Sequence, residues 1–147
     1  MGLFSRRQQE PQADDRWDSL NAEYQNYRRR TTEELARSAE QSARKTAAVF
    51  LPFYDDLQRA LSSRCTDPAF YKGVELILKE LLHTFRDLGI VPMEVKGQLF
   101  NPTRHEAVRH IRDPRYRQAE IVEVVQTGFT MHEEIIRHAK VVVANCQ

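Results

Sequence analysis

The sequence predicts an α+β protein in which two helices precede a small all-β domain. Residues 15–61 contain no glycine and a single proline, as expected for one long helix. A second helical row of apolar residues runs from about Pro68 to Leu88. From Ile90 onward the segments are short, β-branched and separated by turn signals, which is typical of strands. We therefore expect a disordered tail over residues 1–14, helices over 15–89 and a β-domain over 90–147.

Apolar residues of the long helix recur in steps of three and four, beginning at Trp17, and so form a heptad-like seam. At about 1.5 Å per residue this helix would span roughly 70 Å, and no other segment matches that length. We therefore predict a homodimer in which the helix pairs in parallel with its own copy. The predicted dimer interface comprises Leu20, Tyr27, Leu35, Phe50, Leu57 and Leu61, together with Val74 and Leu81 on the second helix.

Clear start and stop signals bound the second helix. Asp67 is placed to cap its N-terminus, with Pro68 at the first helical position, and Gly89 follows its last turn. Its apolar face is too broad for contact with one other helix and suits a bundle.

Strands are expected over residues 90–95, 107–111, 120–129 and 135–144. Alternation along the last strand places Arg137 on the face of Ala139, Val141 and Val143. Arg137 should therefore pack inward against a carboxylate or turn outward at a bulge. A β-domain this small is expected to dock on the helices or on the dimer.

Composition excludes several classes of function. The 22 Lys and Arg residues nearly balance the 21 Asp and Glu residues, whereas nucleic-acid-binding proteins usually show a basic excess. No apolar run approaches the roughly 20 residues that cross a bilayer, and the first residues do not read as a signal peptide. Cys65 and Cys146 are expected to be free thiols, which favours a reducing cytoplasm. We therefore expect neither a nucleic-acid nor a membrane partner.

The sequence offers no recognisable catalytic constellation. The five glycines are too scattered for a phosphate-binding or dinucleotide-binding loop, so no cofactor is expected. His105 and His110 are five residues apart, whereas a zincin helix needs a spacing of four. A metal-dependent hydrolase using the His105/His110 region and a coiled-coil scaffold remain as alternatives to a partner-binding function.

Five separated motifs resemble the GrpE family, the nucleotide exchange factors of DnaK-type chaperones. They are residues 27–31 (YRRRT), 51–61 (LPFYDDLQRAL), 100–108 (FNPTRHEAV), 126–129 (QTGF) and 136–143 (IRHAKVVV). The resemblance implies a homodimer with a long paired helix, a four-helix bundle built from both chains and one β-domain per chain. It also implies that one β-domain wedges open the nucleotide-binding domain of the chaperone, so that ADP leaves, without covalent chemistry.

The resemblance also implies a set of partner-binding residues. Phe100 and Pro102 match contact positions in the loop motif, and Val125 and Val143 match contact positions on the later strands. Arg28 and Arg29 match basic positions of the long helix, although a solvated helix face would also explain them. Three further residues of the matched motifs complete the predicted set: His105, Gly128 and Arg137. Asn145 departs from the family pattern, in which a lysine is common.

Overall fold

Residues 13–146 are described in the computed structural model, and they fall into two compact units, residues 13–42 and 43–146. Two helices precede six strands in chain order. The elements are α1 (Ala13–Ser62), α2 (Pro68–Asp87), β1 (Ile90–Pro92), β2 (His105–Ile111), β3 (Glu120–Gln126), β4 (Phe129–Met131), β5 (Glu134–Arg137) and β6 (Ala139–Ala144). The predicted fold class, with a long helix, a second helix and a C-terminal all-β region, is confirmed.

Helix α1 has bounds within one or two residues of those predicted. Most of the predicted tail lies outside the described residues, but its last two residues are helical. Pro52 lies inside α1 without ending it. The buried side chains of Leu51 and Tyr54 flank this proline, so packing against the core offsets the hydrogen bond that proline cannot make.

Helix α2 has the predicted caps. The side chain of Asp67 accepts a hydrogen bond from the backbone N–H of Ala69 at 2.9 Å, and Pro68 occupies the first helical position. Gly89 follows the helix with φ +76°, a left-handed conformation that favours glycine. The helix therefore ends through backbone geometry that the sequence specifies locally.

The strands of the β-region form two three-stranded sheets. The first sheet has the order β1-β4-β5, with antiparallel neighbours. The second has the order β2-β6-β3, in which β6 runs parallel to β2 and antiparallel to β3. The long strands predicted over 120–129 and 135–144 are therefore corrected: each divides into two strands that belong to different sheets. The strand predicted over 90–95 is also shorter, because only β1 is paired.

The chain passes from one sheet to the other at two corners, and these corners pack directly against each other. The first corner contains Gly128, between β3 and β4, and the second precedes Ala139, between β5 and β6. A Cβ added to Gly128 would lie 2.6 Å from the backbone nitrogen of Ala139 and 2.8 Å from Sδ of Met93. Met93 also donates its backbone N–H to the Gly128 carbonyl at 2.8 Å. Only a residue without a side chain fits where the two corners meet.

Two hydrophobic clusters make up the core of residues 43–146. The first joins α1 and α2 to the first sheet, and Phe129 lies at its centre, fully buried. The Phe129 ring meets Tyr54 edge-on at 4.9 Å and Phe85 edge-on at 5.9 Å between ring centroids. The second cluster lies on one face of the second sheet and includes Ile121, Val141 and Val143. The expected docking of strands on the helices is confirmed by the first cluster.

Replacing Gly128 with alanine is predicted to lower the free energy of unfolding by about 2 kcal/mol, since the new methyl group would overlap the Ala139 backbone. Urea unfolding of the variant measures this change. Gly73→Ala is the matched control, because a Cβ at that helical position meets no atom within 4 Å and alanine favours the helix. Equal stability of Gly128→Ala and the unchanged protein would contradict the corner packing.

Candidate partner-binding surfaces

Val125 is an exposed apolar residue among the predicted contact residues of the β-region. Its side chain is 56% exposed, and it lies in β3 where the pairing with β6 shifts between Val124 and Gln126. Such a bulge turns an apolar side chain outward from the sheet. Val125 thus remains available to a partner although the inner face of β3 is buried.

Val125 also borders a groove of about 650 Å³ between the end of α1 and the second sheet. The groove is lined by Tyr54, Asp55, Gln58, Arg59 and Ser62 on α1 and by Val124, Val125, Gln126, Thr127 and Lys140 on the other side. Sequence reasoning did not find this groove, because residues 54–62 and 124–140 come together only through the docking of the sheet.

Residues 100–105 form a tight loop that carries three predicted contact residues. The Phe100 N–H donates to the Ala119 carbonyl at 2.8 Å, and its half-buried ring packs against the second core cluster. Asn101 organises the turn, since its side-chain oxygen accepts from the Thr103 N–H at 3.0 Å and from the Thr103 hydroxyl at 2.7 Å. Pro102 lies exposed at the tip. We refer to residues 100–105 as the Asn101 loop.

His105 closes the Asn101 loop from inside and is only 5% exposed. Its Nδ1 accepts a hydrogen bond from the backbone N–H of Asn101 at 3.0 Å, and the backbone N–H of His105 donates to the Asn101 carbonyl at 2.9 Å. Burial, followed by the charges of Arg104 and His138, lowers the pKa of His105 below its ordinary value. The imidazole is therefore neutral at pH 7 and does not itself present a surface to a partner.

Two other predicted contact residues are also buried. Val143 is fully buried in the second core cluster, and Gly128 lies in the packed corner beside Ala139. In the single chain both residues support the sheet that carries Val125, and direct contact with a partner stays a prediction for them. The family motif marks these positions, but a motif does not distinguish a contact from its support.

Arg137 is held by an intramolecular ion pair. Its guanidinium makes two contacts to the Asp55 carboxylate of α1, at 2.6 and 2.8 Å, and its Nη2 donates to the Thr127 carbonyl at 2.7 Å. The two side chains are only 19% and 26% exposed, and Gln126 donates a further hydrogen bond to Asp55 at 2.9 Å. We call the ion pair of Asp55 and Arg137 the Asp55–Arg137 clamp.

The clamp settles the two options that alternation left for Arg137. The residue does not share a face with Ala139, Val141 and Val143, because the chain changes sheet between β5 and β6. Instead it packs inward against a carboxylate, as one of the two expectations stated. Its Cζ also lies 5.6 Å from the centroid of the Phe129 ring, so the charge covers the centre of the first core cluster.

Arg28 and Arg29 lie exposed on α1 within the unit of residues 13–42. In the same unit Arg30 pairs with Glu34 at 2.8 Å, an exposed pair that raises the pKa of Arg30. The basic triplet thus divides between one paired arginine and two exposed neighbours that could meet an acidic surface.

The predicted dimer positions differ in exposure within the single chain. Leu20, Tyr27, Leu35 and Phe50 are exposed, Leu57, Leu61 and Leu81 are half-buried beside the first core cluster, and Val74 is buried. Further exposed apolar residues on the two helices are Trp17, Tyr24, Val49, Phe53, Phe70, Tyr71, Leu76 and Ile77. Exposed apolar area on this scale is typical of an interface with another protein.

Asn145 has a role that sequence reasoning missed. It adopts a left-handed backbone with φ +53°, and its side-chain amide donates to the carbonyls of Asp113 and Tyr116 at 2.8 and 2.9 Å. Its side-chain oxygen accepts from the Asp113 N–H at 3.0 Å. Asparagine tolerates this backbone region better than most residues, so an asparagine directly after a strand was the available signal.

The His105/His110 region is not arranged to hold a metal. Within residues 13–146 no group of three or more His, Cys, Asp or Glu side chains is close enough to bind an ion. The two histidines lie on strand β2 rather than on a helix, and His105 already uses Nδ1 for the Asn101 loop.

The family model for GrpE matches residues 5–145, which include both helices and all six strands. The chain belongs to the GrpE family. It is 38% identical over 133 residues to the protein GrpE of Clostridium acetobutylicum, 35% over 131 residues to that of Acidobacterium capsulatum and 39% over 133 residues to that of Bacteroides fragilis. These alignments cover 88–90% of the chain and 66%, 64% and 68% of the three relatives, so the chain spans about two thirds of their length.

Among residues 13–146, none of the helices combines the length and apolar character that crossing a membrane requires.

Removing the guanidinium in Arg137→Ala is predicted to lower the free energy of unfolding by about 2–3 kcal/mol, because the half-buried Asp55 carboxylate would lose its partner. Arg137→Lys should recover only part of this loss, since an ammonium group cannot contact both carboxylate oxygens in the same way. Urea unfolding provides the measurement. Arg109→Ala is the control: it breaks an exposed pair with Glu123 and should cost about 1 kcal/mol or less. Equal losses for Arg137→Ala and Arg109→Ala would contradict the clamp.

Proposed function

We propose that this protein is a nucleotide exchange factor that binds the nucleotide-binding domain of a DnaK-type chaperone, opens its cleft and accelerates ADP release. The observation that carries the proposal is membership of the GrpE family across residues 5–145. The exposed side chain of Val125 and the exposed tip of the Asn101 loop at Pro102 support it, since they offer apolar contacts beside a rigid sheet.

The proposed mechanism uses binding energy alone, without catalysis or a cofactor. A ligand shifts a two-state cleft only by the difference between its affinities for the open and closed forms. We propose that Pro102, Phe100 and Val125 fit the open form, and that Arg28 and Arg29 add contacts to acidic groups of the chaperone. Reciprocity follows: ADP must weaken the binding of this protein by the factor by which this protein weakens the binding of ADP.

Homodimerisation belongs to the same proposal. Apolar side chains are exposed on both helices, and a second copy of the chain offers helices of matching length. A parallel dimer would bury Leu20, Tyr27, Leu35 and Phe50 and would complete a four-helix bundle with α2. We also propose a cytoplasmic location, which fits two cysteines that are free thiols.

The exchange function is tested by stopped-flow release of a fluorescent ADP analogue from the DnaK-type chaperone of the same organism. We predict that the dimer accelerates release and that Val125→Asp raises the concentration needed for half-maximal acceleration at least tenfold, about 1.4 kcal/mol. Val108→Asp is the matched control, because Val108 has a similar exposure, 47%, at the corresponding pairing shift in β2. An unchanged release rate at saturating dimer would end the proposal; equal effects of both variants would remove Val125 from it.

Dimerisation is tested at Ile77, a residue of α2 that is 57% exposed in the single chain. In a monomer Ile77→Asp would remain in water and cost little, whereas in the bundle its carboxylate would be buried without a partner. We predict that Ile77→Asp weakens the dimer at least tenfold by sedimentation equilibrium at micromolar concentration. Lys79→Asp places the same carboxylate at an exposed polar position of α2 and should leave the association unchanged. A wild-type protein that sediments only as a monomer would contradict this part of the proposal.

A further inference from the structure

We propose that His105 is a positioning residue that holds the Asn101 loop in its binding shape through an unprotonated Nδ1, so that acidification releases the loop and weakens partner binding. The loop part of this inference concerns the free protein. Only its last step, the effect on the partner, rests on the proposed function.

The geometry identifies the protonation state of His105. The Asn101 backbone nitrogen always carries hydrogen, and it lies 3.0 Å from Nδ1 with donor geometry. Nδ1 must therefore be the acceptor, and the single imidazole proton must be on Nε2. The same two residues are joined a second time, by the hydrogen bond from the His105 N–H to the Asn101 carbonyl. This pair of bonds fixes both ends of the loop that carries Pro102.

Phe100 is coupled to the same imidazole. Its ring centroid lies 6.0 Å from that of His105, with the rings tilted at 48°. Phe100 therefore packs on a histidine that is itself fixed by the turn. A movement of the imidazole would therefore shift both Phe100, before the turn, and Pro102, at its tip.

A second proton on His105 would have no acceptor in this arrangement. It would lie on Nδ1 and face the Asn101 N–H at the buried His105 side chain, so that two donors would oppose each other. The native loop tolerates the imidazolium only if Nδ1 moves away from Asn101. Protonation is thus expected to open the turn rather than to add a contact.

The ionisable neighbours reinforce this preference. Arg104 in the loop itself and His138 in the segment before β6 both oppose a positive charge on His105, and burial opposes it most strongly, so that its pKa is lowered. A histidine whose folded pKa lies below its unfolded value contributes stability that is complete above about pH 6.5. That stability is lost progressively as the pH falls below about 6.5, since the unfolded state then binds more protons than the folded state.

The loop part is tested by NMR on the full-length protein without a partner. Imidazole ¹⁵N shifts at pH 7.5 should show an unprotonated Nδ1 and a protonated Nε2, and the Asn101 amide should be protected from exchange. Its protection factor should fall severalfold between pH 7.5 and pH 5.5, with about tenfold as the upper limit set by an open-state pKa of about 6.5. A Nδ1-protonated tautomer, or an Asn101 protection factor that is independent of pH, would overturn the proposal.

Two substitutions separate hydrogen bonding from packing. In His105→Asn the side-chain oxygen is bonded to Cγ, as Nδ1 is, and can still accept from the Asn101 N–H. In His105→Gln the oxygen lies one atom further out, although the side chain fills the site better. We expect His105→Asn to retain more Asn101 protection than His105→Gln and to lose the pH dependence. The opposite ranking would show that His105 acts by volume alone and would overturn the proposal.

The partner step is measured as the dimer concentration that gives half-maximal ADP release at pH 7.5 and at pH 6.0, with the chaperone alone as reference at each pH. We expect this concentration to rise severalfold at pH 6.0 for the unchanged protein but not for His105→Asn. Equal pH dependence in both proteins would overturn the link between the loop and the partner. If no acceleration occurs at either pH, the proposed function fails, while the NMR result decides the loop part independently.

Discussion

The contact between Arg137 and Asp55 joins α1 to the region where the chain passes between the two sheets. Two strand-forming stretches change sheet at the same place, and the first corner leaves the Thr127 carbonyl outside either ladder. Arg137 satisfies that carbonyl and binds the Asp55 carboxylate of α1 with its remaining donors. The corner is therefore fixed to the helix as well as closed. A planar guanidinium with five donors suits this task, because one side chain must reach two acceptors in different directions.

The two core clusters have different roles: the first holds a sheet on the helices, and the second leaves the other face of its sheet outside the cluster. Phe129 and its aromatic neighbours hold the first sheet on the helices, whereas the second sheet buries only one face in its own cluster. Its other face keeps Val142 buried beneath the Arg109–Glu123 pair, while Val125 and Val108 turn outward at pairing shifts. Exposed apolar residues here are thus a consequence of bulges on a well-packed sheet, not of a deficient core.

The helices could be predicted from the sequence because their signals are local: Asp67, Pro68 and Gly89 act within one turn of the positions that they specify. The strand breaks could not, because β-branched residues continue on both sides of each corner and alternation carries no information about a change of sheet. Gly128 was the visible signal, yet it predicted a strand end rather than a second sheet. Similarly, the motifs identified Val143 and His105 but did not show that both are buried. Burial depends on residues distant in sequence, as the role of Asn145 also does.

The affinity of a protein surface for its partner depends on how well that surface is ordered before the partner binds. Ordering a free loop on binding would consume part of the interaction free energy, and a preorganised loop avoids that cost. In the Asn101 loop the order comes from side chains that replace a regular ladder: the Asn101 amide binds Thr103, and the His105 imidazole binds the Asn101 backbone. The amide does not titrate, whereas the imidazole gains a proton as the pH falls through its lowered pKa. The hydrogen bond from the Asn101 N–H to Nδ1 of His105 preorganises the loop, and the proposed effect of acidification is to break this same bond.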